Sequence, residues 1–208
     1  MCNEVDSAID AGIENGFIAT TNVMLNMKTL SDAADLLTRY PSLSVGIHWN
    51  VTTGKPISDP KTIPSLVDEM GTFWSIGIFK RKYHNAEITP ADLEKELEAQ
   101  YSLFEKTCGK PDYWNTHENV HVLIEPIKEM MLNLWQNQSQ KLGVSAPDGI
   151  LVRMNEDDKL NLPYLFSHIA WKSAHVVELA IHPSINGNNK YLGKITDLRV
   201  KEYQCFSS

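Results

Sequence analysis

The sequence predicts an α/β protein: a parallel sheet or barrel with helices packed outside. Three observations carry this. Helical and strand-like stretches alternate from end to end in the order α-β-α-β-α-β-α-β-α-β-α, without repeats or low-complexity linkers, and strict alternation calls for crossover connections between parallel strands. A chain of 208 residues, 42% hydrophobic and 22% charged, suits one soluble domain with a sizeable core. Three histidines, His48, His117 and His182, fall at or just beyond strand ends. In a barrel those ends share one face.

Met1 to Asn15 reads as a helix, because Val5, Ile9 and Ile13 recur every four residues and Gly16 follows as a stop. Thr20–Met27 (TTNVMLNM) is strand-like. Ser31 is placed to cap a helix over 32–40 that Pro41 ends. Leu43–Val51 (LSVGIHWNV) is the next strand, with His48 and Asn50 two apart and so on one side. Residues 57–88 read as a long irregular loop with exposed aromatics (Phe73, Trp74, Phe79, Tyr83), a candidate lid, substrate rim or homodimer contact. Thr89 and Pro90 open the clearest helix as N-cap and first residue, with Asp92 completing a weak capping box and Gly109 ending it. Asp112–His121 is strand and loop. A helix over 126–141, a strand over 149–154 carrying Arg153, a helix over 160–173, a strand over 176–181 and a last helix from Ile195 complete the series.

Composition excludes several classes. The net charge is −7, and a protein that tracks phosphates needs a basic face. Lys80-Arg81-Lys82 is the longest basic run and fits a solvated loop, so no nucleic-acid partner is expected. No apolar run approaches the ~20 residues of a membrane span, and the N-terminus lacks the basic and apolar regions of a signal peptide. Cys2, Cys108 and Cys205 are odd in number and scattered, which suggests a reducing compartment without a disulfide framework. The expectation is a cytoplasmic domain of enzyme size.

The stretch that organises the chain is Asn115-Thr116-His117-Glu118-Asn119-Val120-His121. Histidines delivered by strands into βα loops are a common way to present metal ligands, which points to a metal-dependent hydrolase. His117 and His121, four apart, suit either a metal pair or simple surface polarity; His121 is assigned to a structural or rim role. His48 alone would read as a satisfied core histidine. His84, His168 and His175 read as loop, helix and turn residues, and Glu156-Asp157-Asp158 as a solvated loop.

At these residues the chain resembles the YdjC-like carbohydrate deacetylases. Gly46-Ile47-His48-Trp49-Asn50-Val51-Thr52 with Gly54-Lys55-Pro56 is similar to the family's "GxHxNLTxGxP" segment. Glu96, Gln100, Gly109-Lys110-Pro111 and Asn115–His121 resemble its "E…AQ…G..P…DSHxHxH" block. Glu178-Leu179-Ala180-Ile181-His182-Pro183 resembles "ELxxHPG", and Arg199 with Glu202 fits "R..EL". The resemblance implies a (β/α) barrel-like fold of about seven strands and removal of N-acetyl groups from N-acetylglucosamine oligosaccharides. It also implies one divalent metal ion, with Mg or Zn foremost, held by an Asp and two His. Those two His are His48 and His117, and His182 is the implied proton donor or orienting group. Asn115 is expected to orient His117, and Glu178 to support the site from the strand before His182. Asn50 and Arg153 are expected to bind sugar hydroxyls or the acetyl group, and Trp49, with Phe73 and Trp74, to stack on sugar rings.

The chain also departs from the pattern. The family's opening "ADDFG" strand, with the third metal ligand and the base, is absent, and Asn115 and Asn119 replace its Asp and middle His. Ser184 stands where a Gly is usual. The expectation is a single deacetylase domain recorded incompletely at both ends, its first strand missing. The competing expectation is a carbohydrate-binding relative with impaired catalysis; a third is a metal hydrolase acting on another amide or ester.

Overall fold

The computed structural model describes residues 3–28, 30–139, 149–152, 177–187, 199–201 and 203–204. In chain order its elements are α1 (Asn3–Glu14), β1 (Thr20–Val23), α2 (Leu30–Arg39), β2 (Ser44–Trp49), α3 (Ile76–His84) and α4 (Pro90–Cys108). They continue with β3 (Trp114–Thr116), α5 (Val120–Leu123), α6 (Glu125–Ser139), β4 (Gly149–Val152) and β5 (Val177–Ala180). The chain divides into two compact units, one of Thr20–Gly143 and one of Met1–Ala19 with Val144–Ser208. No described helix is long and apolar enough to cross a membrane.

In the unit of Thr20–Gly143, β1, β2 and β3 lie side by side in that order, all parallel. The register sets Asn22 opposite Gly46 and His48 opposite Asn115. Because side chains alternate along a strand, Asn22, Gly46, His48, Tyr113 and Asn115 share one face. Gly46 is needed there for space. A Cβ on it would stand 2.6 Å from the Tyr113 ring and 2.7 Å from Asn22 Oδ1. The ring crosses the strand at this gap, and its hydroxyl donates to the Thr21 carbonyl at 2.8 Å.

Helix α4 contacts β2, α2 and α6. Its buried positions, Leu93, Glu96, Leu97, Gln100, Tyr101 and Phe104, recur every three to four residues and form one stripe. Each large apolar member stabilises the fold by about 1.5–3 kcal/mol through burial. The ends are as the sequence predicts: Thr89 accepts from the Asp92 amide at 3.3 Å, and Gly109, at φ 79°, closes the helix. Trp49, Trp135, Ile127 and Met131 complete this core.

Four expectations need correction. The stretch 57–88 is not irregular throughout, since α3 forms within it and places basic Arg81, Lys82 and His84 at the negative end of the helix dipole. Phe73 and Phe79 are core residues, not rim aromatics, while Trp74 donates its indole N–H to the Ser65 carbonyl at 3.0 Å under the ammonium of Lys82. Strand β1 ends at Val23, and Met24 and Leu25 turn into the core. Helix α2 begins at Leu30, so Ser31 lies inside it and donates to Asp32 Oδ1 at 3.1 Å.

In the other unit α1 buries Val5, Ala8 and Gly12 and stops before Gly16, whose φ of 76° suits glycine. Strands β4 and β5 pair in parallel. The parallel α/β class therefore holds, with five strands among the described residues, in sheets of three and two, against the seven expected of a closed barrel. The predicted helix over 160–173 lies outside the described residues.

Candidate functional site

The strand register of β2 and β3 builds the centre of the site. His48 Nδ1 lies 2.6 Å from Asn115 Oδ1. A carbonyl oxygen only accepts, so the imidazole donates from Nδ1 and keeps a lone pair on Nε2. His117 follows Asn115 by two residues, and its ring centre is 5.6 Å from that of His48 with the planes at 73°. Burial lowers the pKa of His48 to about 4; the charges of His117 and His121 act in the same direction, and the hydrogen bond to Asn115 opposes them. His48 is therefore neutral at pH 7, the state a metal ligand requires. Asn115 was expected to orient His117; its carbonyl instead serves His48.

Beyond β3 the chain makes a tight turn over His117–Asn119, with Glu118 and Asn119 at φ 53°. Consecutive non-glycine residues in the left-handed region cost about 1–2 kcal/mol each, and asparagine bears this better than glutamate. The turn redirects the chain into α5, which starts only four residues after the strand ends. There His121 Nδ1 meets the Thr116 hydroxyl at 2.6 Å, and its ring packs against Trp114 at 5.4 Å. Burial lowers the pKa of His121 as well.

The loop after β2 is organised by buried polar side chains. Asn50 Oδ1 accepts from the Thr52 and Thr53 amides, and its Nδ2 donates to the Thr53 carbonyl at 2.6 Å and to Asn26 Oδ1 at 3.0 Å. Gln100 exchanges two bonds with the Asn50 backbone and donates to Glu96 Oε1 at 2.8 Å. The Glu96 carboxyl also accepts from the amides of Ile57 and Ser58, at 3.0 and 2.9 Å. Two sugar-binding expectations change accordingly. Asn50 and Trp49 are each 1% exposed; Asn50 is committed to the loop backbone, and Trp49 packs on Trp114 at 5.4 Å. Strand β2 ends at Trp49, so the alternation that would have set Asn50 beside His48 does not extend to it.

His182 follows β5 in the other unit, and its carbonyl accepts from Arg199 Nη1 at 3.4 Å. Ser184 is buried; its amide donates to the Arg199 carbonyl and its hydroxyl to the Asn186 carbonyl. Glu178 lies on β5, its side chain outside the described residues, and Arg153 lies outside them altogether. The structure thus brings His48, Asn115 and His117 together. Among the described residues no group of three or more His, Cys, Asp or Glu is arranged to hold a metal; the nitrogen donors that β2 and β3 bring near each other are the two imidazoles of His48 and His117.

Two roles escaped the sequence reading. Thr116 had no signal beyond its place before His117. Glu96 and Gln100 did have one, a polar pair at i and i+4 inside the apolar stripe of α4, which required a partner to bury.

Comparison with known proteins identifies relatives of the chain. Chitooligosaccharide deacetylases of Yersinia pestis (strain Pestoides F) and Yersinia pseudotuberculosis serotype O:1b (strain IP 31758) are each 31% identical over 127 residues, 59% of this chain. The match spans 47% of their length, about half. A crystal structure of a candidate cellobiose-phosphate cleavage protein from Enterococcus faecalis V583 shares the fold, with a TM-score of 0.81, 21% identity and coverage of 100% of this chain and 86% of that one. The family model for YdjC-like proteins matches residues 1–141, a range that includes His48, Asn115 and His117. The chain belongs to the YdjC-like protein family.

Proposed function

We propose that this chain belongs to a metal-dependent carbohydrate N-deacetylase that removes N-acetyl groups from N-acetylglucosamine-containing oligosaccharides. The observation that carries the reading is the pair of imidazoles on neighbouring strands, His48 and His117, 5.6 Å apart, with Asn115 holding the first. The Yersinia relatives named chitooligosaccharide deacetylases support the substrate class.

His48 and His117 would hold one divalent ion, magnesium or zinc. Such an ion polarises an acyl oxygen and lowers the pKa of bound water to roughly 7. The protein's own share is to hold both rings in place and to keep His48 neutral. Burial keeps His48 deprotonated on Nε2, and the Asn115 carbonyl fixes which nitrogen faces outward. The network of Asn50, Gln100 and Glu96 holds the loop that begins one residue beyond Trp49, which limits the freedom of His48. The proton-donor role of His182 rests on its "HP" motif and is tested by substitution.

The experiment is acetate release from diacetylchitobiose with added magnesium or zinc. Chelator and His117→Ala are both expected to abolish it, and full activity in His117→Ala would overturn the reading. A second reading, saccharide binding without turnover, is favoured by Asn115 and Asn119 standing in place of an Asp and a His of the family motif. Saturable binding of the same sugar with no acetate at any metal concentration would select it.

A further inference from the structure

Strand β2 presents Ser44, Gly46 and His48 on one face. Only the middle one lacks a side chain. The register that pairs Ile47 with Trp114 and His48 with Asn115 sets Tyr113 opposite Gly46 when continued by one residue. The Tyr113 ring fills the space that Gly46 leaves, since a Cβ there would stand 2.6 and 2.8 Å from two ring carbons. Tyr113 is held at both ends. Its backbone carbonyl accepts from the Ile47 amide at 3.0 Å, and its hydroxyl reaches across β2 to the Thr21 carbonyl of β1. The residue before it, Asp112, engages both backbone groups of Val45. Its amide donates to the Val45 carbonyl at 2.9 Å, and its carboxylate accepts from the Val45 N–H at 3.0 Å.

Few alternatives to this register exist. A slip of one residue between β2 and β3 would turn the Tyr113 side chain to the other face. A slip of two keeps the face but sets the ring against Ser44 or His48, where a side chain already fills the space. One register therefore seats the ring. It is the register in which Asn115 lies against His48, two residues further along each strand.

We propose that Tyr113 is a positioning residue: its ring, seated on Gly46, selects the strand register that brings Asn115 against His48, and so fixes which His48 nitrogen is offered to a cation. The ring carries the role, because its fit to Gly46 discriminates between registers. The hydroxyl does not, because it can pair with any backbone carbonyl in reach. The cation in this proposal rests on the deacetylase reading; the register does not.

The test uses the full chain, first without metal and then with zinc. Long-range proton–nitrogen NMR on histidine-labelled protein at pH 7.5 reads which nitrogen of His48 carries the proton, and calorimetric titration reads zinc affinity. In the parent and in Tyr113→Phe, which keeps the ring, the proton is expected on Nδ1, with equal zinc affinity. In Tyr113→Ala and in Gly46→Ala the Nδ1 proton is expected to be lost. Zinc binding should weaken about 10- to 100-fold in both, the usual cost of losing the outer partner of a metal-bound histidine. A purely structural role would lower the urea midpoint and leave the His48 proton where it is. An Nδ1 proton with parental zinc affinity, in whichever of the two alanine variants folds, would therefore overturn the proposal. A loss in Tyr113→Phe as large as in Tyr113→Ala would overturn the role of the ring. Loss of the proton with parental zinc affinity would overturn the link from register to cation. Absence of zinc binding in the parent would overturn the metal pair of the deacetylase reading, while the NMR result would still decide the register.

Discussion

Asn115 Oδ1 stands 2.6 Å from Nδ1 of His48 across two neighbouring strands, joining residues 67 apart in sequence. The contact turns a short asparagine into the element that decides which nitrogen of His48 faces a ligand. Removing the acceptor in Asn115→Leu is expected to weaken zinc binding about 10- to 100-fold, the usual cost of losing an outer partner of a metal-bound histidine. Asn115→Asp, which places a carboxylate against the ring, is expected to strengthen it. Calorimetric titration with zinc checks both, and equal affinity in all three proteins would remove Asn115 from the site.

The depressed pKa of His48 gives stability a pH dependence. The folded value, about 4, lies below the ordinary 6.5, so the unfolded chain binds the proton more readily. His48 therefore contributes stability that is fully present above about pH 6.5 and lost as pH falls through about 4, at most about 3 kcal/mol in all. Urea unfolding between pH 4 and 7.5 should show a steeper rise in the parent than in His48→Asn. Identical slopes would contradict a buried neutral imidazole.

Glu96 anchors a loop through its buried carboxyl. Glu96→Ala strands the amides of Ile57 and Ser58 and one donor of Gln100. The expected loss is about 3 kcal/mol, since each buried donor left unpaired costs roughly 1–3 kcal/mol and some regain water. The urea midpoint reads this. An unchanged midpoint would mean the loop is held by Asn50 and Asn26 alone.

At Glu118 the backbone itself is the variable. Its φ of 53° is costly for a side chain and free for glycine. Glu118→Gly is expected to stabilise by up to about 1 kcal/mol, the relief of strain less the added chain entropy. Glu118→Val should destabilise, because a β-branched residue fits this region worst. Thermal melts of the two variants moving in the same direction would refute the strained turn.

Much of this was legible in the chain. Thr89, Pro90 and Gly109 announced both ends of α4, because capping is local chemistry between residues a few positions apart. The run LSVGIHWNV announced β2 and put His48 near its end. The amphipathic α3 was less visible, since Ile76, Phe79 and Tyr83 are spaced within a segment punctuated by Pro and Gly.

By itself the sequence determined the alternating α/β plan, the parallel pairing it demands, and His48 and His117 as the residues to watch. The tertiary structure decided what each of them touches. Pairing Ile47 with Trp114 and His48 with Asn115 is a choice of register, and a shift by one residue would have given His48 a different partner. Burial decided the fate of Trp49 and Asn50, whose types suited a sugar but whose positions face the core and the loop backbone. Thr116 met His121 only because two left-handed residues turn the chain back on itself. Each of these depends on contacts between segments, which local propensity does not encode.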